Sequence, residues 1–546
     1  MLRRLIIILL FPACSLTGGT VEQLIPAGVK LPTKSLTPYI LQATREGKYV
    51  QRERPELPCF YDTPNFRVWY TTEGDSAVSS ADTNSNSVPD WVETAGELLE
   101  HSLSVYIDSL GYNRPLPDSS SFPDASDVGG DDRIDFYILD IDNTAYGWTV
   151  DERYPVGQIR LRSGYSVIDN DYANIPGYAD HTLDALAVTC AHELFHLVQF
   201  TYDAMEDIWW MEATAVFMED YIFDAVNDYI NYLPIFFDNP DEILTSSTLL
   251  YGSAIFPRFL WEFTGDINII HNVWENCSEP FVSSIGAIES ACEHREIDFN
   301  QIFANFTLWN LFTGRNCTYG KFYREAELYP EISTNDINEY EFQDSGLFSP
   351  SSGLYKLSCS YLWFYQRRDR KNISLEIDCP SGMGANIVLL ANPGTDANNF
   401  YQTISSFPGT VSVDSLYRYE KLVVIPFVSS NTSSVYDYEL RWEYSGETAL
   451  PKDEPVFWSP YPNPSTDGMV YFPCYVPNDG KISLAVFTAS GEFVTDEEQL
   501  IYTGFHRGKN SAMSFDGRNL AEGVYTAILK FADKRYKAKF AIVGKQ

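Results

Sequence analysis

The sequence predicts a multidomain protein in which an α+β domain is followed by two β-sandwich domains. Between residues 61 and 345, apolar segments with helical periodicity alternate with short strands. Between residues 346 and 546, short alternating strands are separated by Gly, Pro, Asn and Ser. A chain of 546 residues, 45% of them hydrophobic, is long enough for about three packed domains.

The N-terminus predicts export from the cell. The basic start Met1–Arg4 and the apolar stretch Leu5–Phe11 are typical of a signal peptide, which we assign to residues 1–19. The tetrapeptide ending at Cys14 loosely resembles a bacterial lipobox, so a lipid anchor on Cys14 and cleavage near Gly18 or Gly19 both remain open. Residues 20–60 are interpreted as a pro-segment or a wrapping arm, and no later segment has the length of a transmembrane helix.

A buried helix from Leu183 to Phe200 carries the motif HExxH, with His192, Glu193 and His196. Residues four apart lie on one helix face, which is the spacing that allows two imidazoles to bind one zinc ion. Burying these groups without a partner would cost several kcal/mol. Glu212, 16 residues after His196 in a second apolar helix with small neighbours, is the predicted third ligand.

A second ion site is predicted in the twelve residues from Asp82 to Glu93, where oxygen ligands follow the spacing of an EF-hand calcium loop. The predicted calcium ligands are Asp82, Asn84, Asn86, Val88 through its carbonyl, Asp90 and Glu93. Ser87 replaces the usual Gly of such loops. The alternative is a polar turn in which Asp90 caps the following helix, Trp91 to Leu110.

The segments HELFHLVQF, WWMEATAVFMEDYIFDAVNDYINYL and YGSAIFPRFL resemble the gluzincin metallopeptidases, and more narrowly the MXAN_6640 family of secreted bacterial metallopeptidases. The likeness spans about residues 60–345. It implies a zincin-like catalytic domain and a zinc endopeptidase acting on protein or peptide substrates. In that mechanism Glu193 is the general base on a zinc-bound water and Tyr251 stabilises the oxyanion.

The resemblance also implies a sheet whose edge strand pairs with extended substrate, and by position we expect that edge at Gln158–Arg162, the start of a predicted strand Gln158–Ile168. One departure from the gluzincin pattern is Val216, which stands where related enzymes have an Asp that orients a histidine. Asp203 and Glu219 each lie seven residues from a ligand, and the choice between them stays open.

The C-terminal part predicts two β domains, at residues 346–447 and 456–546, joined by a linker, Thr448–Pro455. Motifs in the last module, such as YPNP, FTASGE, FDGR and GVY, resemble the Ig-like sorting domain of type IX secretion and its relative in flagellar hook-capping proteins. This likeness implies contact with a secretion machinery and a secreted or cell-surface location in a Gram-negative-type bacterium. An ordinary Ig-like spacer is the alternative.

The net charge of −37 argues against nucleic acid or an anionic membrane as a partner. Cys190 is expected to be a buried free thiol, and Cys359 with Cys379 and Cys277 with Cys292 are candidate disulfides by proximity.

Two functions compete: a secreted zinc metallopeptidase, and a surface adhesin or polymer-binding protein with structural zinc and calcium. We favour the enzyme because no fourth Cys or His stands near the motif to close a structural site.

Overall fold

The structure, a computed structural model, describes most of the chain with gaps. The described residues are 24–25, 33–46, 54–118, 129–141, 144–152, 158, 160–318, 320–337, 344–364, 370–391, 398–404, 408–432, 434–447, 454–460, 463–506 and 512–543. The expected signal peptide with Cys14, and most of the expected linker Thr448–Pro455, lie outside these ranges. Within them, no helix is long and apolar enough to cross a membrane.

The chain divides into two compact units. The first comprises Met1–Asp238, Leu244–Ile302 and Phe312–Glu331; the second comprises Asn239–Ile243, Phe303–Leu311 and Ile332–Gln546. The first unit mixes helices with one sheet and the second is mainly β-sheet, in agreement with the predicted order of domains. The Ig-like topology expected for the C-terminal sheets stays a prediction.

One six-stranded sheet organises the first unit. Its strands are β1 (Thr33–Ser35), β2 (Cys59–Asp62), β3 (Phe66–Tyr70), β4 (Ile134–Leu139), β5 (Ala145–Asp151) and β6 (Gly164–Asp169). Their order is β1-β5-β6-β4-β3-β2. β5 runs antiparallel to β6, whereas β1 runs parallel to β5 with Ser35 opposite Gly147. The three-residue strand β1 therefore forms one edge of the sheet.

Helices cover this sheet and extend the first unit. They are α1 (Thr37–Arg45), α2 (Asp90–Ser104), α3 (Thr182–Gln199), α4 (Ile208–Ile222), α5 (Leu233–Asp238), α6 (Ile255–Thr264), α7 (Asn268–Cys277), α8 (Ser284–Glu293) and α9 (Phe299–Leu311), the last of which ends in the second unit. α3 packs against β5 and β6, α2 packs against β3, and α1 packs against β5. A π-helical turn, Val105–Ser109, prolongs α2, so the predicted helix Trp91–Leu110 is confirmed.

Helices α3 and α4 are apolar on every side, and both are buried on every side. All residues of α3 from Ala185 to Gln199 are buried, as are all residues of α4 from Trp209 to Asp220. A helix without a polar face is stable only inside a core. The small residues Ala213 and Ala215 let α4 lie close to α3. The sequence prediction of two buried helices is thus confirmed.

Residues 33–46, which belong to the expected pro-segment or arm, are integrated into the first unit. Leu36 and Ile40 are fully buried in a cluster with Trp148 and Val150 of β5 and Val167 of β6. Burying a Leu or Ile side chain stabilises by about 1.5–3 kcal/mol. The segment is therefore held by packing and not only by strand pairing.

The second unit contains two separate β cores. Its strands are β7 (Asn335–Asp336), β8 (Ser345–Phe348), β9 (Ser358–Cys359), β10 (Leu362–Phe364), β11 (Arg370–Asp378), β12 (Met383–Ala391), β13 (Phe400–Ile404), β14 (Gly409–Val413), β15 (Tyr419–Val428), β16 (Glu439–Glu447), β17 (Val456–Phe457), β18 (Met469–Phe472), β19 (Cys474–Val476), β20 (Gly480–Thr488), β21 (Phe493–Ile501), β22 (Gly504–His506), β23 (Met513–Asp516), β24 (Gly523–Phe531) and β25 (Lys534–Ile542). One core is built from residues between Leu354 and Tyr444, and the other from residues between Phe457 and Ile542.

The strand predicted at Gln158–Ile168 is confirmed only from Gly164 onward, and its expected edge at Gln158–Arg162 is wrong, because none of the described residues there belongs to a strand. The strand begins only at Gly164, and the strand that lies beside α3 next to β6 is β5. Arg160 and Arg162 instead pair with acidic side chains, Arg162 with Asp151 at 3.3 Å. The backbone N–H groups of Leu161 and Arg162 donate to the carbonyls of Gln158 and Phe200, so these donors are not part of a strand ladder.

The two candidate disulfides are also wrong, because all eight described cysteines are free. The Cys359 thiol donates a weak hydrogen bond to the carbonyl of Pro240 at 3.6 Å, and Cys277 and Cys292 are buried separately on α7 and α8. Proximity in sequence does not fix the Cα separation or the Cβ direction that a disulfide requires. Cys190 is a buried free thiol, as expected.

Candidate metal centre

The three predicted zinc ligands converge at one point in the first unit. The Nε2 atoms of His192 and His196, one turn apart on α3, are 3.1 Å from each other. Each Nε2 lies 3.4 Å from one oxygen of the Glu212 carboxylate on α4. None of the three side chains is more than 1% exposed. Because α4 packs directly on α3, two nitrogen donors and one oxygen donor face one small volume.

The environment of the Glu212 carboxylate favours a cation between the three side chains. Among the described residues, neither of its oxygens has a hydrogen-bond partner, and burial raises the pKa of Glu212. An unsatisfied buried polar group costs about 1–3 kcal/mol, and a charged one costs more. A divalent cation between the carboxylate and the two imidazoles removes that cost. The donor set fits zinc with a fourth position open.

Each histidine is fixed through its other ring nitrogen. The Nδ1 of His192 lies 2.7 Å from an oxygen of Glu219, and the Nδ1 of His196 lies 2.8 Å from the amide oxygen of Gln199. Gln199 in turn donates from its amide nitrogen to the carbonyl of Met211 and the hydroxyl of Thr214. Acceptors at Nδ1 favour a proton there and leave Nε2 free to bind metal.

Of the two carboxylates that the sequence offers as the partner of a ligating histidine, Asp203 and Glu219, the one that contacts a histidine is Glu219. Besides His192 it contacts Lys34, whose Nζ lies 2.8 Å from Glu219 and 2.6 Å from Asp228. Burial acts to lower the pKa of His192, but the adjacent carboxylates of Glu212 and Glu219 outweigh it and raise that pKa to about 10. Asp203, the other candidate, pairs with Arg160 instead.

The Glu193 carboxylate lies beside the ligands and accepts three hydroxyl hydrogen bonds. The donors are Ser35 at 2.8 Å, Thr37 at 3.1 Å and Thr149 at 2.7 Å. Burial raises the pKa of Glu193 to about 6, against the opposing effects of His192 and of the hydrogen bonds from Thr149 and Ser35. This carboxylate is therefore held in one orientation and titrates near the pH at which a general base is effective.

Gly147 allows the strand β5 to pass directly against Glu193. A Cβ atom at this position would lie 3.1 Å from Cγ of Glu193 and 2.7 Å from the carbonyl oxygen of Val167. Contacts this short leave no room for a side chain. The backbone of β5 is thus adjacent to the carboxylate that we expect to act as the base.

Tyr251, the predicted oxyanion donor, is engaged by the backbone of β1. Its hydroxyl donates to the carbonyl of Ser35 at 3.0 Å and accepts from the Ser35 N–H at 3.2 Å. Burial and the nearby carboxylate of Glu212 raise the pKa of Tyr251 well above its usual value, so the phenol keeps its proton. The Tyr251 hydroxyl therefore lies against β1, close enough to Glu212 for that carboxylate to affect its pKa.

The predicted calcium loop brings together four of its side chains. Asn84 and Asn86 donate to the two oxygens of Glu93 at 2.9 and 2.6 Å, and Asp82 accepts from the backbone of Asn86 at 3.2 Å. Ser87 has a φ of +72°, the conformation that Gly usually supplies in such loops. Asp90 accepts from the backbone and hydroxyl of Thr83 within the same loop.

Several residues around the site were missed by the sequence reasoning. Gln199 lies three residues after His196, hence on the same face of α3, and that spacing could have revealed it. Ser35, Thr37 and Thr149 come from β1, α1 and β5, and no local pattern connects them with Glu193. Only the fold brings these three hydroxyls to the carboxylate.

Comparisons with known proteins add little to this site. No family model matches the chain, and no curated protein matches it. The solved structure of Legionella pneumophila aminopeptidase A in complex with aspartic acid matches 64% of this chain and 34% of its own length, with 11% identity and a TM-score of 0.32. The β-glucuronidase from Ruminococcus gnavus in complex with D-glucaro-d-lactam matches 38% of this chain and 47% of its own length, with 9% identity and a TM-score of 0.13.

The chain thus spans about a third of the length of that aminopeptidase and about half of that glucuronidase. Likeness at this level carries no argument about fold or activity.

Proposed function

We propose that the chain is a secreted zinc metallopeptidase that hydrolyses peptide bonds. The observation that carries this proposal is the buried group of His192, His196 and Glu212, in which the carboxylate lacks a hydrogen-bond donor among the described residues, with Glu193 directly beside it. Two imidazoles and one carboxylate are the ligand set of catalytic zinc sites that keep one position open.

His192, His196 and Glu212 would hold the metal. When bound, a zinc ion supplies Lewis acidity, which polarises a scissile carbonyl and makes water acidic enough to attack near neutral pH. Glu193 accepts the proton of the attacking water and later returns it to the leaving amine. The hydroxyl of Thr149 on β5 keeps its carboxylate in place between these two transfers.

Tyr251 supplies a neutral hydrogen-bond donor for the negative charge that develops on the oxygen of the scissile carbonyl. A tetrahedral oxyanion is stabilised by donors that are already oriented towards it, and a phenol with a raised pKa remains such a donor at neutral pH. Its present acceptor is a peptide carbonyl, that of Ser35. The hydroxyl is therefore already oriented towards the chemical group that a substrate would offer.

Complete burial of the ligands favours a structural metal, which is the kind of site expected in the second candidate, a surface adhesin or polymer-binding protein. A structural zinc site normally has four protein ligands. Within the described residues, the metal-ligating group contains three. We therefore keep the enzyme as the proposed function and treat the structural metal as the competing outcome of the test.

The test measures metal content and hydrolysis separately in purified full-length protein and three variants. We expect one zinc per chain in the wild type and in Glu193→Gln, and much weaker zinc retention in Glu212→Ala. Hydrolysis of unfolded proteins should stop with a chelator, return with zinc, and fall by about 10²–10⁴-fold in Glu193→Gln, because only the base is removed.

The exposed variant Glu97→Gln on α2 is the matched control and should behave as the wild type. Full zinc stoichiometry in Glu212→Ala would show that Glu212 is not a zinc ligand. Undiminished hydrolysis in Glu193→Gln would contradict the mechanism.

We also propose calcium at the loop Asp82–Glu93, on the convergence of Asp82, Asn84, Asn86 and Glu93. An amide turned by half a rotation presents its oxygen in place of its nitrogen, so these four side chains can all offer oxygen donors to a hard cation.

A further inference from the structure

The segment Thr33–Thr37 lies against two groups of the proposed active site. The Ser35 hydroxyl donates to Glu193 at 2.8 Å, while the backbone carbonyl and N–H of Ser35 both bond to the Tyr251 hydroxyl. One residue of this segment thus engages both the proposed base and the proposed oxyanion donor. A substrate peptide would need the same two groups.

The segment also takes the edge of the sheet that a substrate would use. β1 is the only described strand on the outer side of β5, and the N–H groups of Thr33 and Leu36 donate to the carbonyls of Thr144 and Gly147 at 3.0 and 3.1 Å. An uncovered edge strand pairs readily with an extended peptide. In this structure the chain itself supplies that peptide.

The reacting groups are closed off from solvent. His192, Glu193, His196 and Glu212 are each at most 1% exposed. A peptide cannot reach side chains that solvent does not reach. Hydrolysis therefore requires that some covering element leaves, and the element that touches Glu193 from the sheet edge is β1 with the first residue of α1.

Lys34 fastens the segment in an acidic pocket. Its Nζ lies between Asp228 and Glu219, at 2.6 and 2.8 Å, and 4.4 Å from the ring centroid of Tyr146. The ammonium group is fully buried. Two buried carboxylates require a cation, so a vacated pocket would favour another basic side chain in the same place.

Resting on the proposed function, we infer that Thr33–Thr37 is a built-in peptide ligand of the active site. It keeps the chain latent, and the pocket that holds Lys34 receives a basic side chain of the substrate once the segment has left. The competing assignment makes the segment a permanent part of the site, with Ser35 and Thr37 as positioning residues for Glu193. The two assignments predict opposite effects of removing it.

The experiment uses the full chain with residues 47–53 replaced by a seven-residue recognition sequence for a site-specific protease. This change retains Arg54, which is tied to the body of the first unit by a hydrogen bond to Glu152 at 2.9 Å. Release of the N-terminal fragment after cleavage is followed by size exclusion and mass spectrometry. The first readout is the rate at which bound zinc passes to a coloured chelator, which reports access to the ligands and requires no catalysis.

We expect zinc transfer to become faster by about tenfold or more once the fragment has left, because buried ligands exchange only through opening. A synthetic peptide of residues 33–46 should restore the slow rate. The same peptide with Lys34→Ala should restore it only at an about tenfold higher concentration. The control peptide with Gln42→Ala, a position exposed on α1, should act as the wild type. Equal transfer rates before and after release would overturn the inference.

If the fragment stays bound after cleavage, the experiment is repeated with the Lys34→Ala chain, from which we expect the fragment to dissociate. Retention there as well would overturn the assignment of Lys34 as the fastening residue. Activity then separates the two proposals. If transfer and peptide binding respond as expected but no form hydrolyses peptides, the latent site stands and the proposed function fails.

If the intact chain hydrolyses peptides as fast as the released chain, or release abolishes a Glu193-dependent activity, the peptidase stands and the inference fails. In the released chain we expect faster cleavage of peptides with Lys or Arg than of peptides with Ala or Glu at one fixed position near the scissile bond. Equal rates across that series would overturn the assigned role of the acidic pocket.

Discussion

Glu219 connects the ligand candidate His192 with the buried Lys34. Its two oxygens contact the Nδ1 of His192 at 2.7 Å and the Nζ of Lys34 at 2.8 Å, inside a helix with no polar face. A carboxylate behind a ligating histidine fixes the ring and makes its other nitrogen a better donor. Glu219 lies seven residues after Glu212, two helical turns along the same face of α4.

We predict that Glu219→Gln weakens zinc binding by about 10–100-fold while the fold is kept, because the amide is a poorer acceptor for the imidazole N–H and carries no charge. Competition with a chelator of known affinity measures the dissociation constant, and circular dichroism checks the fold. Glu97→Gln, exposed on α2, is the control. Unchanged zinc affinity would show that Glu219 serves only the contact with Lys34.

At the scale of residues, the sequence predicts those members of the site that share one helix. His192, Glu193 and His196 are found from spacing on α3, and Glu212 from its setting in a second apolar helix. Sequence offers no such signal for Ser35 or Thr149, which reach Glu193 from strands over 40 residues away in the chain. Spacing rules apply within an element and not between elements.

At the scale of elements, the loop Asp82–Glu93 leads into α2, which packs on the sheet. Three residues of the loop take hydrogen bonds from their own backbone neighbours, and Ser85 and Ser87 both have positive φ. A bound cation would replace several of these contacts with stronger ones. The folded first unit should therefore gain stability from calcium.

We predict that millimolar calcium raises the melting temperature of the protein. Saturation at a hundredfold over the dissociation constant stabilises by about 2.7 kcal/mol, and each kcal/mol shifts the transition by about 2–4 °C in domains of this size. The shift should shrink in Asp82→Ala and persist in Asp75→Ala, an exposed control nearby. A melting temperature that ignores calcium in the wild type would restore the interpretation of a polar turn.

The elements that sequence predicts well are those with a strong pattern of their own. α3 matches its predicted position and α4 is the second apolar helix expected around Glu212, because long apolar helices leave few alternatives. β5 escapes prediction because all seven of its residues are buried and no alternation marks it. β1, with three residues, is defined only by its partner β5.

At the scale of the whole molecule, the C-terminal residues have a hydrophobic core of their own. The core residues between Phe457 and Ile542 include no residue of the preceding β core, which ends at Tyr444. Chain segments with separate cores unfold and tolerate truncation separately. The expected sorting module can therefore be removed without opening the core before it.

We predict that deletion of residues 456–546 leaves zinc content and peptidase activity unchanged in vitro. In the native host the truncated chain should accumulate in the periplasm, because the module that we interpret as an address is missing. Fractionation of cells with an antibody against the first unit measures this. Normal delivery of the truncated chain to the surface would make the module a spacer, and loss of activity would make it part of the folded enzyme.

The line of contacts from Asp228 through Lys34 and Glu219 to His192 has a thermodynamic consequence. Two ligands that share one set of groups cannot bind independently, and their coupling is reciprocal. If removal of the N-terminal strand changes the zinc affinity of the chain by some factor, zinc must change the affinity of the protein for that strand by the same factor. Depletion of zinc would then change how firmly the chain holds its own N-terminus, and the N-terminus would report the metal status of a site that solvent does not reach.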